Sequence, residues 1–201
     1  LPVHMHNLTC NMDAIMDIAR RHRLVVLEDA CQAMGIQYRG RAVGTIGNMG
    51  AFSFNMFKSL TCGEGGMVVT DDDRYYERAL MLHDAGCYTR EHAGAMHEAF
   101  FPGFNFRVSE IQGAILGAQL AKLDGFLAGL RKRRDLAQSI LGSSQQFRLS
   151  PRNDDGSLAV TLLFDAAAAA RAFAEKHHTG VLIDSGRHLY SNWEPVMKKA
   201  S

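Results

Sequence analysis

The residues of this chain best suited to chemistry are an acid and an amine that follow short apolar runs. Asp29 ends Leu24-Val25-Val26-Leu27-Glu28-Asp29, and Lys58 closes Ala51-Phe52-Ser53-Phe54-Asn55-Met56-Phe57-Lys58. A carboxylate at the carboxyl end of a strand faces the crevice where α/β sheets take ligands, and there it can hold a cationic ring nitrogen. Its plain alternative is a helix cap or the rim of a sheet. An amine among apolar neighbours is desolvated, which lowers its pKa and frees the neutral nucleophile that Schiff-base chemistry requires. A lone lysine near a strand end is otherwise an ordinary solvated side chain. Ser53 offers a hydroxyl to a phosphate, or simply sits in a strand.

Other chemistries lack their spacing. Neither a Gly-x-Gly-x-x-Gly turn after a strand nor Gly-x-x-x-x-Gly-Lys-Ser/Thr occurs, and Gly-x-Ser-x-Gly is absent as well. His4-x-His6, His177-His178 and the His83/Cys87 pair match no zinc signature, so no metal is expected. Cys10, Cys31, Cys62 and Cys87 form no Cys-x-x-Cys pair and read as reduced structural thiols.

These groups need a scaffold. Asn11 caps a helix with Ile15, Ile18 and Ala19 facing inward, Asp13 in its first turn and Arg20, Arg21, His22 and Arg23 crowding its end. Leu24 to Leu27 reads as a strand buried on both faces of a parallel sheet. A glycine-punctuated stretch leads to strands at 51–54 and 67–70, separated by Gly63-Glu64-Gly65-Gly66. Asp71 to Asp73 open a helix to about His83, and 87–101 reads as a long surface loop of the kind that is often functional or mobile. Ser109 and Gln112 form a capping box for a helix with Ile111, Ile115, Ala118 and Leu120 inward, continuing through Leu123 and Leu127. Arg131-Lys132-Arg133-Arg134 reads as a solvated helix face. Polar residues 143–157 mark a subdomain boundary, dividing the chain into 1–142 and 143–201. Beyond it, 158–164 reads as a strand, 166–174 as a helix and 181–183 as a strand. Strands alternating with helices predict a doubly wound α/β layer.

Composition narrows the function classes. The 201 residues carry 22 basic and 21 acidic side chains, a net charge of +1, which gives no electrostatic reason to expect nucleic acid or an anionic membrane as partner. With 47% hydrophobic and 21% charged residues the composition is that of an ordinary globular protein. No apolar run approaches the roughly 20 residues of a membrane span, and no basic segment precedes an apolar one, so a cytoplasmic protein is expected.

Four ordered segments together are far more specific than any one. Glu28-Asp29-Ala30-Cys31-Gln32-Ala33, Gly44 to Gly50, Ala51 to Lys58 and Gly63-Glu64-Gly65-Gly66 closely resemble the pyridoxal-phosphate-dependent sugar aminotransferases of the DegT/DnrJ/StrS family. Gly103-Phe104-Asn105-Phe106-Arg107 with its following helix, Pro2-Val3-His4 and Met12-Asp13-Ala14-Ile15 fit as well, so the match covers about residues 1–135 and a looser trace follows.

The resemblance implies a fold and a role for each matched residue. The fold would be part of the α/β/α large domain of the fold type I pyridoxal phosphate enzymes, with a mostly parallel sheet and an abbreviated α+β C-terminal subdomain. Lys58 would bind the cofactor as a Schiff base and shuttle a proton; Asp29 would pair with the pyridine nitrogen; Gln32 would contact the ring on its O3′ side; Ser53 would hold the phosphate. Asn105 would reach the phosphate of a cofactor in the neighbouring subunit of a homodimer with shared active sites. Lysine at 58 separates the chain from the family's dehydratases, which carry histidine there. His188, Tyr190 and Trp193 stand as substrate-side candidates, in a stretch closer to enzymes acting on octulosonate-type sugars. The implied reaction moves an amino group, with glutamate the expected donor, onto a keto sugar. Family members are roughly twice as long, and the Gly/Ser/Thr phosphate turn and ring-stacking aromatic of their N-terminal portion have no counterpart after Leu1. A fragment or remnant that holds no cofactor by itself is therefore the alternative expectation.

Overall fold

In the computed structural model, residues 1–150, 158–185 and 189–199 are described. They fall into two units, which divide within a long helix: Leu1–Ala137 with the described part of 151–160, and Gln138–Ser150 with the described residues from Thr161 onward.

The first unit begins with an extended segment and helix α1 (Met12–His22). Asn11 Oδ1 accepts the Ala14 N–H at 3.2 Å, satisfying one of the orphan donors of the first turn. Strand β1 (Leu27–Asp29) follows, then a two-stranded hairpin of β2 (Gln37–Tyr38) and β3 (Arg41–Ala42), then β4 (Met49–Ser53) and β5 (Gly66–Val69). The main sheet has the order β1-β4-β5, with β1 and β4 parallel and β4 and β5 antiparallel. On the other side of β1, Val3 forms a parallel bridge to Asp29, where the Asp29 N–H donates to Pro2 O at 2.8 Å and the His4 N–H to Asp29 O at 3.0 Å. Helices α2 (Asp73–His83), α3 (Glu110–Leu120) and α4 (Leu123–Leu141) complete the alternation.

The core lies on one face of this sheet. Met12, Ala19, Val26, Ala30, Ala33, Ile36, Tyr38, Val43 and Ile46 are buried together, with Phe52 and Ile15 packed against them. Gly50 is required at the crossing of β4 over the glycine loop, because a Cβ there would lie 1.9 Å from Gly44 O. Gly44, at φ +86°, adopts a left-handed conformation that side chains rarely take.

Several expectations change. The strand begins only at Leu27, and the run Leu24 to Leu27 is not buried on both faces: Val26 is buried, while Leu24, Val25 and Leu27 are exposed. In α1 Met12 and Ala19 are buried and Ile15 packs against the core as expected, whereas Ile18 is exposed. The α3 capping box is present in both directions, yet none of its helix residues is buried and Ile111 is 75% exposed. Arg134 does not share the solvated face of its neighbours; it is buried and bonds Asp135 through Nε at 3.0 Å and Nη2 at 2.7 Å. The 87–101 segment contains a 3-10 turn at Glu91–Ala95 and is tied down, since Glu77 accepts the His97 and Glu98 N–H groups at 2.9 and 2.7 Å.

The second unit contains the antiparallel pair β6 (Arg148–Leu149) and β7 (Leu162–Leu163), helix α5 (Ala167–His177) and a short α6 (Glu194–Met197). Its apolar centre is the ring cluster Phe147, Phe164 and Phe173, with centroids 5.3 to 5.5 Å apart. Leu182–Asp184 forms a 3-10 turn rather than the expected strand, held where Arg171 donates twice to Asp184, at 3.0 and 2.8 Å. No helix among the described residues is long and apolar enough to cross a membrane, and none of their His, Cys, Asp or Glu side chains gather as a metal site.

Candidate active site

Successive side chains of a strand leave on opposite faces, and this sorts the two acids of β1. Glu28 turns into the core and is fully buried with His4. The His4 Nε2–H donates to Glu28 Oε2 at 3.0 Å, the Gly44 N–H reaches the same oxygen at 2.8 Å, and the Ile46 and Gly47 N–H groups reach Oε1 at 2.6 Å each. His4 Nδ1 accepts the Cys10 N–H at 3.2 Å, so the ring proton sits on Nε2. Burial alone would raise the Glu28 pKa; the bonds from His4 and from the Gly47, Gly44 and Ile46 amides outweigh it and hold the carboxyl below its usual range. Glu28 thereby shapes the glycine loop that underlies β4.

Asp29 leaves on the other face. Its register partner on β4 is Ala51, and Ser53, two residues further along the same strand, shares that face with Leu27, Met49, Ala51 and Val68. Asp29 Oδ1 accepts the Cys31 N–H at 3.0 Å, an Asx turn that orients the carboxylate just past the strand end. Lys58 follows β4 through a second turn: the Asn55 N–H donates to Ser53 Oγ at 3.4 Å, the Phe57 N–H to Asn55 Oδ1 at 3.0 Å and the Lys58 N–H to Asn55 O at 3.0 Å. The Cys31 thiol registers both charges. Burial first, then its hydrogen bond to Asp29 and the Asp29 charge, push it up to about 11, while the Lys58 charge opposes them. Asp29 and Ser53 thus close β1 and β4 on one face, Cys31 and Lys58 follow in the turns beyond, and all four are half-buried.

The remaining candidates are held by other contacts. Gln32 Oε1 accepts the His6 N–H at 2.9 Å and Gln32 O the Asn7 N–H at 3.1 Å, which ties the turn at Met5–Asn7 to the loop after Asp29. Asn105 is exposed and bridges to Asp84 at the C-terminal end of α2. Tyr190 and Trp193 are exposed in the second unit, beside a turn that Asn192 Nδ2 secures by donating to Ile183 O and Ser185 O at 2.9 and 3.0 Å. His188 lies outside the described residues. Sequence reasoning assigned no role to Glu28 or Asp84. Strand alternation from Val26 was the available signal for Glu28; Asp84 had none, because Arg90, six residues on, and Arg107, 23 residues on, meet it only through the fold.

A family model of the DegT/DnrJ/EryC1/StrS aminotransferases matches residues 1–186. The chain belongs to this family. It is similar to GDP-perosamine synthase of Caulobacter vibrioides, 42% identical over 130 residues, covering 64% of this chain and 33% of the relative. It is also similar to GDP-perosamine synthase of Escherichia coli O157:H7, 32% identical over 188 residues, 94% of this chain and 50% of the relative. The chain thus spans a third to a half of the length of these family members. Among solved structures, E. coli GDP-4-keto-6-deoxy-D-mannose-3-dehydratase with bound hydrated PLP superposes with a TM-score of 0.76 at 23% identity, over 88% of this chain and 49% of that one. That likeness shows the fold, an α/β layer.

Proposed function

We propose that this chain provides the lysine, acid and phosphate-side groups of a pyridoxal-phosphate-dependent sugar aminotransferase. The observation that carries the reading is the placement of Asp29 and Ser53 on one face at the ends of two hydrogen-bonded strands, with Lys58 in the turn just beyond β4. The donor set fits the cofactor: a carboxylate for a protonated ring nitrogen, a hydroxyl for a phosphate and an amine for an aldehyde. When bound, the cofactor supplies an electron sink for a carbanion at the carbon that bears the amino group.

Within that frame, Asp29 holds the ring nitrogen protonated, and its Asx turn keeps the carboxylate oriented. Lys58 would hold the cofactor through its amine and would be the group that moves a proton at the reacting carbon. Ser53 Oγ takes the phosphate, Gln32 the O3′ side of the ring, and Asn105 the phosphate in a partner subunit. Residues 1–142 would bind the cofactor, residues 143–201 would make up the small domain, and His188, Tyr190 and Trp193 are the candidates for recognising the acceptor. Glutamate is the amino donor and a keto sugar the acceptor; relatives named as GDP-perosamine synthases favour a nucleotide-linked one.

Borohydride treatment of the full-length protein loaded with pyridoxal phosphate tests the reading. The expected result is a phosphopyridoxyl label on the peptide carrying Lys58, and loss of at least about a hundredfold in amino transfer in Lys58→Ala. Labelling elsewhere, no labelling, or full turnover in Lys58→Ala overturns it and leaves a non-catalytic relative.

A further inference from the structure

We infer that Asp84 is a positioning residue for Asn105, acting through Arg107. The inference rests on the reading of Asn105 as a phosphate ligand and adds the device that holds it there.

Asn105 belongs to no helix or strand, and among the described residues its side chain makes one hydrogen bond, accepting the Arg107 N–H at 3.3 Å. What places it is the end of α2. The Phe104 N–H donates to Leu82 O at 2.7 Å, the Phe106 N–H to His83 O at 2.9 Å and the Ala85 N–H to Phe104 O at 2.8 Å, so the 104–106 backbone lies antiparallel to 82–85. Asp84 locks this pairing with charge. Its side chain is 8% exposed, and Oδ1 accepts from Arg107 Nη1. Arg90 closes the opposite side, with Nε on Oδ2 at 2.8 Å and Nη2 on Oδ1 at 2.9 Å.

The buried carboxylate ties Arg107, two residues past Asn105, to the end of α2 against which the Asn105 backbone is paired, so the amide is presented from a held backbone although it is itself exposed. Binding of a phosphate here therefore depends on Asp84 without contact between them.

The test compares pyridoxal phosphate with pyridoxal, which lacks the phosphate, as probes for the full-length protein. Asp84→Asn and Arg107→Gln should each weaken pyridoxal phosphate roughly tenfold, the scale of one charge-assisted hydrogen bond, and pyridoxal less than about twofold. Adding Asn105→Ala to Asp84→Asn should bring little further loss, because both changes remove one interaction. Arg107 is partly exposed, so its substitution keeps the test available should Asp84→Asn unfold. Equal weakening of both probes, no weakening, or additive losses overturns the inference while leaving the Lys58 chemistry intact. Failure of the unmodified protein to bind pyridoxal phosphate, or to label at Lys58, overturns both readings together.

Discussion

Glu28 and Asp29 are consecutive in β1 and send their carboxylates to opposite faces of the sheet, one to a buried imidazole and three backbone amides, the other to the strand end beside Ala51. One acid builds the loop beneath the site, and the other belongs to the site.

Glu28→Gln replaces an oxygen that accepts buried N–H groups with an NH2 that cannot. Leaving buried donors without an acceptor costs about 3 kcal/mol or more. A lower urea midpoint with an unchanged m-value is expected; an unchanged midpoint would show that the loop does not depend on this anion.

Acid should destabilise the fold in a defined window. Hydrogen bonds from His4 and backbone amides, outweighing burial, hold Glu28 below its ordinary 4.5; bonds from Arg90 and Arg107 hold Asp84 below its ordinary 3.8. Groups with depressed folded values contribute stability that is fully present above the unfolded values and is lost as pH falls through the folded ones. Tm should therefore hold near neutrality and decline below about pH 4.5. Asp84→Asn should make the acid decline shallower, and an unaltered slope counts against the clamp.

Cys31 should be a slow thiol. With its pKa pushed up to about 11, first by burial and then by Asp29, it carries about a hundredfold less thiolate at pH 8 than a thiol at its ordinary 9.0. Iodoacetamide labelling followed by peptide mass should show slow modification that accelerates up to about pH 11. Asp29→Asn should speed it at pH 8, and equal rates in both proteins would separate the thiol from the acid.

Gly50→Ala places a methyl 1.9 Å from Gly44 O, a backbone atom that can move only with its loop. A loss of at least about 2 kcal/mol is expected, the scale of overpacking in a tight core. A variant of wild-type stability would mean that the glycine loop and β4 separate readily.

Asp29→Asn keeps the shape of the strand end and removes its charge. Amino transfer by the full-length protein should fall by more than about tenfold, on the scale of one lost charge-assisted hydrogen bond, while labelling of Lys58 persists. Equal turnover would remove Asp29 from the ring-nitrogen role.

Local chemistry was legible in the sequence wherever a few neighbouring residues decide it. Asn11, Asp72 and the Ser109/Gln112 box cap the helices they announce, since a cap needs only a side chain within three residues of the orphan donor. The ordered segments from Asp29 to Lys58 identified the family for the same reason: their spacing is a property of the chain. Faces were less legible. An apolar run such as Leu24 to Leu27 records what a strand can bury, and only the packed structure shows that Val26 is covered while Val25 and Leu27 are not.

Side-chain partnerships across long sequence separations were decided by the tertiary structure alone. His4 meets Glu28 across 24 positions and Arg107 meets Asp84 across 23, and no local pattern encodes either meeting. The same holds for Arg134, which leaves its basic run to be buried, and for 182–184, where the Arg171–Asp184 pair accompanies a turn instead of a strand. The sequence by itself determined the residue types, their order and the caps. Register and burial decided which acid became part of the core and which faces the proposed cofactor, because a strand assigns opposite faces to neighbours and only the sheet's packing says which face is which.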